Sequence, residues 1–262
     1  MHGSLVGSPE IMRTSFRGHG SDLLESLGFL LAVILPVLEI LDLSYVKVVT
    51  FPKIGDVSIV CKTKRDISEE TPLDKRDDES LGWGYWNRIW PSSLALSEYL
   101  IHQFFPGKLT GTKVLEIGCG TGVPGVVAAQ LGAFTMFSDM APVTLEAVKE
   151  TCGLNHIGNF STCTVDWSEK FQSKERYDVV LGCEVFYDEA ILSDISRLLE
   201  QVLAPGGKGF FCDPNRLGLD TIELAFQEKF TVLVKQIPLN WSPQQKKISN
   251  KNVYLYELSL LN

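Results

Sequence analysis

The spacing of apolar residues changes several times along the chain, and each change marks an element. Residues 45–51 and 57–63 are rich in β-branched side chains, with Pro52, Gly55 and Asp56 between them. This predicts a β-hairpin with a longer loop. From Pro91, a residue suited to a first helical turn, Leu96, Leu100 and Phe104 recur at helical spacing. Strand and helix signals then alternate. Strands are predicted at 114–117, 134–138, 161–165, 177–183, 208–212, 229–236 and 252–259. Helices are predicted after the glycines at 118–122, from Pro142 to about 154, along the apolar stripe Ile191, Ile195, Leu198, Leu199 and Val202, and at about 217–228. Such alternation predicts an α/β domain: a doubly wound, mainly parallel seven-stranded sheet covered on both faces, preceded by the hairpin and a helix.

Between Glu25 and Glu39 lie thirteen uncharged, mostly apolar residues interrupted by Pro36. That is shorter than the roughly 20 a membrane span needs, so no stable membrane insertion is expected. The stretch reads as an amphipathic or buried helix. Arg13 and Arg17 among serines faintly resemble an organelle presequence. Residues 64–80 are charged and poor in apolar groups, as in a solvated linker. The expected organisation is an extension over 1–42, the hairpin and linker over 43–80, and the main domain over 81–262.

Composition narrows the function. The chain has 262 residues, 45% of them hydrophobic, and a net charge of −8. That balance disfavours binding to a phosphate backbone, so nucleic acid is not an expected partner. Six cysteines form no C-x-x-C pair and show no metal-ligand spacing with histidine. No metal is expected, and the setting reads as reducing, with the cytoplasm first and a mitochondrion or other organelle as the alternative.

The chemistry gathers at V-L-E-I-G-C-G-T-G, residues 114–122. A strand enters glycines and a helix starts at once. Gly118, Gly120 and Gly122 let backbone approach a ligand, and the helix start offers N–H donors to an anion. Gly120 to Gly125 also satisfies G-x-G-x-x-G, which by itself suggests a dinucleotide. Glu116, close to the turn, is a poor neighbour for a pyrophosphate, and an extra glycine precedes that match. Asp139 ends the next strand, where it can accept ribose hydroxyls of either cofactor. Asp166 can take an adenine amino group, and Trp167 can stack on the ring. Glu184 and Tyr187 follow the fourth strand of the alternating series and so belong to the ligand crevice at the carboxyl ends of the strands. Asp188 reads as a helix N-cap.

V-L-E-I-G-C-G-T-G, Asp139, Asp166-Trp167 and Glu184-x-x-Tyr187 together resemble the class I, seven-β-strand methyltransferases. Within them the chain resembles family 16, the lysine methyltransferase-like group. Trp90 in R-I-W-P-S-S-L-A-L matches the tryptophan before that family's first helix, and E-V-F-Y stands for its D-x-x-Y. Y-W-N-R-I-W-P-S-S-L-A-L and C-D-P-N-R-L-G-L resemble the electron-transfer-flavoprotein β-subunit lysine methyltransferases and their bacterial relatives, with Asn215 where those carry glycine. The resemblance implies a Rossmann-like methyltransferase fold and S-adenosylmethionine as cofactor. It implies Trp90, Glu116, Gly118, Gly120, Gly122, Asp139, Asp166, Trp167 and Glu184 as cofactor-binding residues. Glu184 and Tyr187 become the catalytic candidates, with Phe186 and Trp90 walling the acceptor channel. The expected partner is a protein with an accessible lysine; a small-molecule N-methyltransferase or a non-catalytic cofactor-binding subunit is the alternative.

Overall fold

The computed structural model describes residues 46–62, 85–171, 174–237 and 253–261. They fall in one compact unit, Tyr45–Asn262; a second unit, Met1–Ser44, contains no described residue. The apolar stretch at 26–38, the charged linker and Trp83 lie outside the described residues. Among the described residues no helix is long and apolar enough to cross a membrane.

The hairpin forms, but with a shorter loop than expected, because Gly55 and Asp56 pair within the second strand. β1 (Val46–Phe51) and β2 (Gly55–Val60) pair antiparallel, with Val46 opposite Val60. The rest of the unit alternates: α1 (Pro91–Phe104), β3 (Lys113–Ile117), α2 (Val123–Gln130), β4 (Phe134–Asp139), α3 (Pro142–Leu154), β5 (Phe160–Thr164), β6 (Tyr177–Cys183), α4 (Glu189–Val202), β7 (Leu203–Asp213), α5 (Leu219–Phe226), β8 (Phe230–Ile237) and β9 (Val253–Leu260). The last seven strands form one sheet in the order β5-β4-β3-β6-β7-β9-β8. All pairs are parallel except β7–β9 and β8–β9, because β9 returns between β7 and β8.

Period-two alternation divides the sheet between two cores. Val114, Phe137, Val179, Leu181, Phe210 and Leu255 face α1, α2, α3 and the hairpin. Leu115, Ile117, Val180, Phe211, Tyr256 and Leu258 face α4 and α5. Prolines open three helices at their first turns, namely Pro91, Pro124 and Pro142. Asp188 caps α4 by accepting the Ala190 N–H at 3.0 Å, the role its position predicted.

β7 begins earlier than the apolar pattern indicated. Leu203 pairs with Tyr177, the register then shifts, and pairing resumes at Lys208 opposite Val179. Ala204–Gly207 ends α4 as expected, but the chain loops out of the ladder there, with Gly206 at φ +75°, rather than leaving the sheet.

Candidate active site

The chain winds outward in both directions from the β3–β6 pair, so the carboxyl ends of these two strands form the topological switch point. β3 runs directly into the glycine turn. Gly118, Gly120 and Gly122 all adopt positive φ, at +55°, +49° and +69°. Each is also pressed by a neighbour. A Cβ at 118 would stand 2.8 Å from Cζ2 of Trp167 and 3.1 Å from Cγ1 of Val185. A Cβ at 120 would stand 2.8 Å from the Trp86 carbonyl oxygen, and at 122, 2.9 Å from Val148. The segment before α1 therefore lies across the turn. Thr121 donates to the Arg88 carbonyl at 3.4 Å, and the Asn87 amide donates to the carbonyl of Lys62 at the end of the hairpin.

Glu116 lies elsewhere than at a ligand surface. It is 1% exposed, and its Oε2 accepts the Gly125 N–H at 3.0 Å. Gly125 itself has no room for a side chain, since a Cβ would fall 2.4 Å from that oxygen and from Phe137. Glu116 thus ties the start of α2 to β3 from beneath the turn. Its strand position was readable, but not which face of the strand the carboxylate takes.

Burial moves the Glu116 carboxyl from its ordinary 4.5 to about 8, offset in part by the Gly125 bond and reinforced by Asp139. A raised acid binds its proton more tightly in the folded chain. Its stabilising contribution is complete below about 4.5 and is lost as the pH rises through about 8. Thermal melts from pH 5 to 9 should show the native protein losing stability across this window, with a flatter profile for Glu116→Gln. Parallel profiles would exclude this assignment.

The N-terminus of α2 offers fewer donors than a generic helix start. Pro124 has no N–H, Gly125 donates to Glu116, and Val126 donates to the Gly122 carbonyl. Of the first four helix amides, that of Val123 is left to face a ligand. Asp139, 8% exposed, accepts the N–H of Gly120 through Oδ2 and of Ala141 through Oδ1, both at 3.0 Å. It thereby fixes the turn, and each oxygen keeps a further lone pair. Burial raises its carboxyl, with these backbone bonds opposing.

Asp166 is exposed, and its Oδ1 accepts both the N–H and the hydroxyl of Ser168. These bonds lower its carboxyl. Trp167 leans on Gly118, and its buried indole N–H has no protein partner. Tyr187 is 56% exposed, and its hydroxyl is raised by partial burial and then by the charges of Asp188, Asp139 and Asp166. The bare turn, the ribose-type carboxylate and the unpartnered indole N–H beside them fit an adenosyl ligand.

A second group adjoins this one. Glu184, just past β6, holds φ +56°, a costly value outside glycine that signals a position constrained by its surroundings. Its side chain is 6% exposed. Oε1 accepts the Ser92 hydroxyl at 2.8 Å, and Oε2 accepts the Arg216 guanidinium. Arg216 also lies 5.7 Å from the centre of the Trp90 ring. Trp90 stacks on Tyr85 and donates its indole N–H to the Tyr85 carbonyl at 2.8 Å. Asp213, fully buried, completes the set; burial raises its carboxyl against the pull of Arg216. Glu184 and Trp90 were expected here. Asp213 and Arg216 belong to the C-D-P-N-R-L-G-L stretch already singled out in the sequence; Ser92 was not read as a site residue, and nothing local in the sequence distinguishes it.

Phe186 corrects an expectation. It is fully buried and packs on Phe211, Phe226 and Tyr256 at 5.2, 5.5 and 5.6 Å, so it belongs to the core and not to a channel wall. After Glu184 the chain turns inward at Val185 and Phe186 before emerging at Tyr187.

Comparison with known proteins bears on the family and the fold. The histone-arginine methyltransferase METTL23 of Xenopus laevis is 30% identical over 148 residues, which cover 53% of this chain and 62% of that protein. The electron transfer flavoprotein beta subunit lysine methyltransferase of Danio rerio is 32% identical over 117 residues, 44% of each chain. The matches thus span less than two-thirds of these relatives' length. Among solved structures, magnesium protoporphyrin IX methyltransferase from Synechocystis PCC 6803 with bound SAH aligns with a TM-score of 0.51 at 16% identity, over 66% of this chain and 84% of that one. The glycopeptide N-methyltransferase MtfA complexed with sinefungin gives the same TM-score at 14% identity, over 64% and 93%. Both show the shared methyltransferase fold. The lysine methyltransferase family matches residues 68–250, and the chain belongs to that family.

Proposed function

We propose that the protein transfers a methyl group from S-adenosylmethionine to a side-chain nitrogen of a protein, in the first place the ε-amine of lysine. The carrying observation is that the Glu184 carboxylate and the Trp90 face, beside the glycine turn, already hold a cation between them. The turn with the Val123 amide would hold the cofactor's carboxylate, Asp139 its ribose, and Asp166 and Trp167 its adenine. When bound, the cofactor supplies an electrophilic methyl group on a sulfonium.

The remaining task falls to the chain's own residues. On the order of one lysine in 2,000 is neutral in water at pH 7. Glu184 holds the incoming ammonium and accepts the proton it must lose. Ser92 fixes the orientation of that carboxylate, and Trp90 and Tyr187 exclude water and favour a cation on their faces. Positioning supplies most of the rate enhancement.

A second reading has its own support. The cation now held on Glu184 is a guanidinium, and histone-arginine methyltransferases are among the relatives. Arginine is therefore the alternative acceptor. Incubation with methyl-labelled cofactor and a cell lysate, followed by hydrolysis of labelled protein, decides between them. Methyllysine is expected, and methylarginine supports the alternative. Label confined to small molecules, or none at all, would overturn the proposal.

A further inference from the structure

Arg216 is held in a way that separates its backbone from its head group. Its N–H donates to Asp213 Oδ1 at 2.9 Å, and the preceding Asn215, at φ +68°, accepts the Tyr256 hydroxyl at 3.3 Å. The main chain of the turn is therefore pinned. The side chain is 34% exposed and lies between two carboxylates. One, Glu184, it bonds directly. The other, Asp213 Oδ2, is buried without a hydrogen-bond partner and lies 3.7 Å from Nη1.

We propose that Arg216 is a stand-in for the acceptor and governs access to the acceptor subsite. In the resting protein its guanidinium fills the place between Glu184 and Trp90 that the substrate cation takes. When a substrate cation arrives, the guanidinium moves off Glu184 and closes the short gap to Asp213 Oδ2, giving that oxygen its missing partner. Every charge keeps a partner in both states: Glu184 always faces a cation, and Arg216 always faces a carboxylate. An acceptor must therefore compete with an internal cation, so neutral nucleophiles are excluded from Glu184 while Arg216 remains there. The inference rests on the reading of Glu184 as the group that receives the acceptor.

Methylguanidinium is a direct probe, titrated by NMR at constant ionic strength against the native protein, Arg216→Ala and the double variant Glu184→Gln/Arg216→Ala. Vacating the subsite should let Arg216→Ala bind the probe at least about 10-fold more tightly than the native protein, the scale of one charge-assisted hydrogen bond. The double variant should return to native-like weak binding. Arg216→Gln serves as a second vacating variant where alanine impairs folding. Equal binding by all forms, or tight binding that survives loss of the Glu184 charge, would overturn the inference. S-adenosylhomocysteine binding is measured in parallel. Its loss in Arg216→Ala alone would make the residue a structural strap and also overturn the inference. Its absence in every form, the native one included, would sink the proposed function, while the methylguanidinium titration still decides the role of Arg216.

Discussion

Glu184→Gln should lower kcat by roughly 10²–10⁴-fold, the range for a positioned proton acceptor. The variant keeps the side-chain shape and the backbone at φ +56°, and it removes the charge that faces Arg216. Affinity for S-adenosylhomocysteine should stay within about 3-fold, because its anchors at the glycine turn and Asp139 share no hydrogen-bond partner with Glu184. The Glu184–Arg216 pair is partly open to solvent through Arg216, so its loss should cost about 1 kcal/mol. For a unit of this size that is a drop in Tm of about 2–4 °C. Turnover, binding and melting measured on one preparation separate the possibilities. Full turnover at saturating acceptor would remove Glu184 from the chemistry. A parallel fall in binding and melting would make it a structural residue of the sheet end.

Gly118→Arg should abolish cofactor binding. At φ +55° any L-residue is strained by about 1–2 kcal/mol. Its Cβ would press into the Trp167 ring at 2.8 Å and Val185 at 3.1 Å, so a long side chain there must displace the walls of the turn. Gly118→Ala makes the effect graded. Strain and overpacking of about 1–3 kcal/mol together predict a loss of affinity of at least about 10-fold, with Trp167 displaced. Calorimetry with S-adenosylhomocysteine and the tryptophan fluorescence of the two variants give the readout. Native affinity in Gly118→Ala would show that Trp167 does not form a wall of the site.

Much of this architecture is legible in the sequence because it is local. Period-two runs, helical stripes and prolines at first turns place β3 to β9 and the helices within a few residues, apart from the early start of β7 at Leu203. The glycine turn, Asp139 and the Asp188 cap follow from their order along the chain. What local reading misses depends on contacts between distant residues. Ser92 meets Glu184 across 92 positions, and Arg216 meets it across 32. Glu116 and Phe186 each lie within a motif, and only packing shows that one lies under the turn and the other in the core. The return of β9 between β7 and β8 likewise depends on which edge offers free backbone groups, information no single strand carries.

The two-stranded hairpin carries a different consequence. The side of β2 facing away from β1 is occupied by a side chain of α3 and by that of Asn155, the residue that ends it. Asn155 accepts the Ser58 N–H and donates to its carbonyl, and Thr151 accepts the Val60 N–H. Asn155 in effect plays the part of one more strand residue. An open row of amides and carbonyls is a template on which another chain can extend a sheet, and aggregation often starts there. Along β2 that template is covered at Ser58 and Val60 by two polar side chains, one on a neighbouring helix and one at its C-terminal cap, so it cannot seed intermolecular strand pairing at those positions.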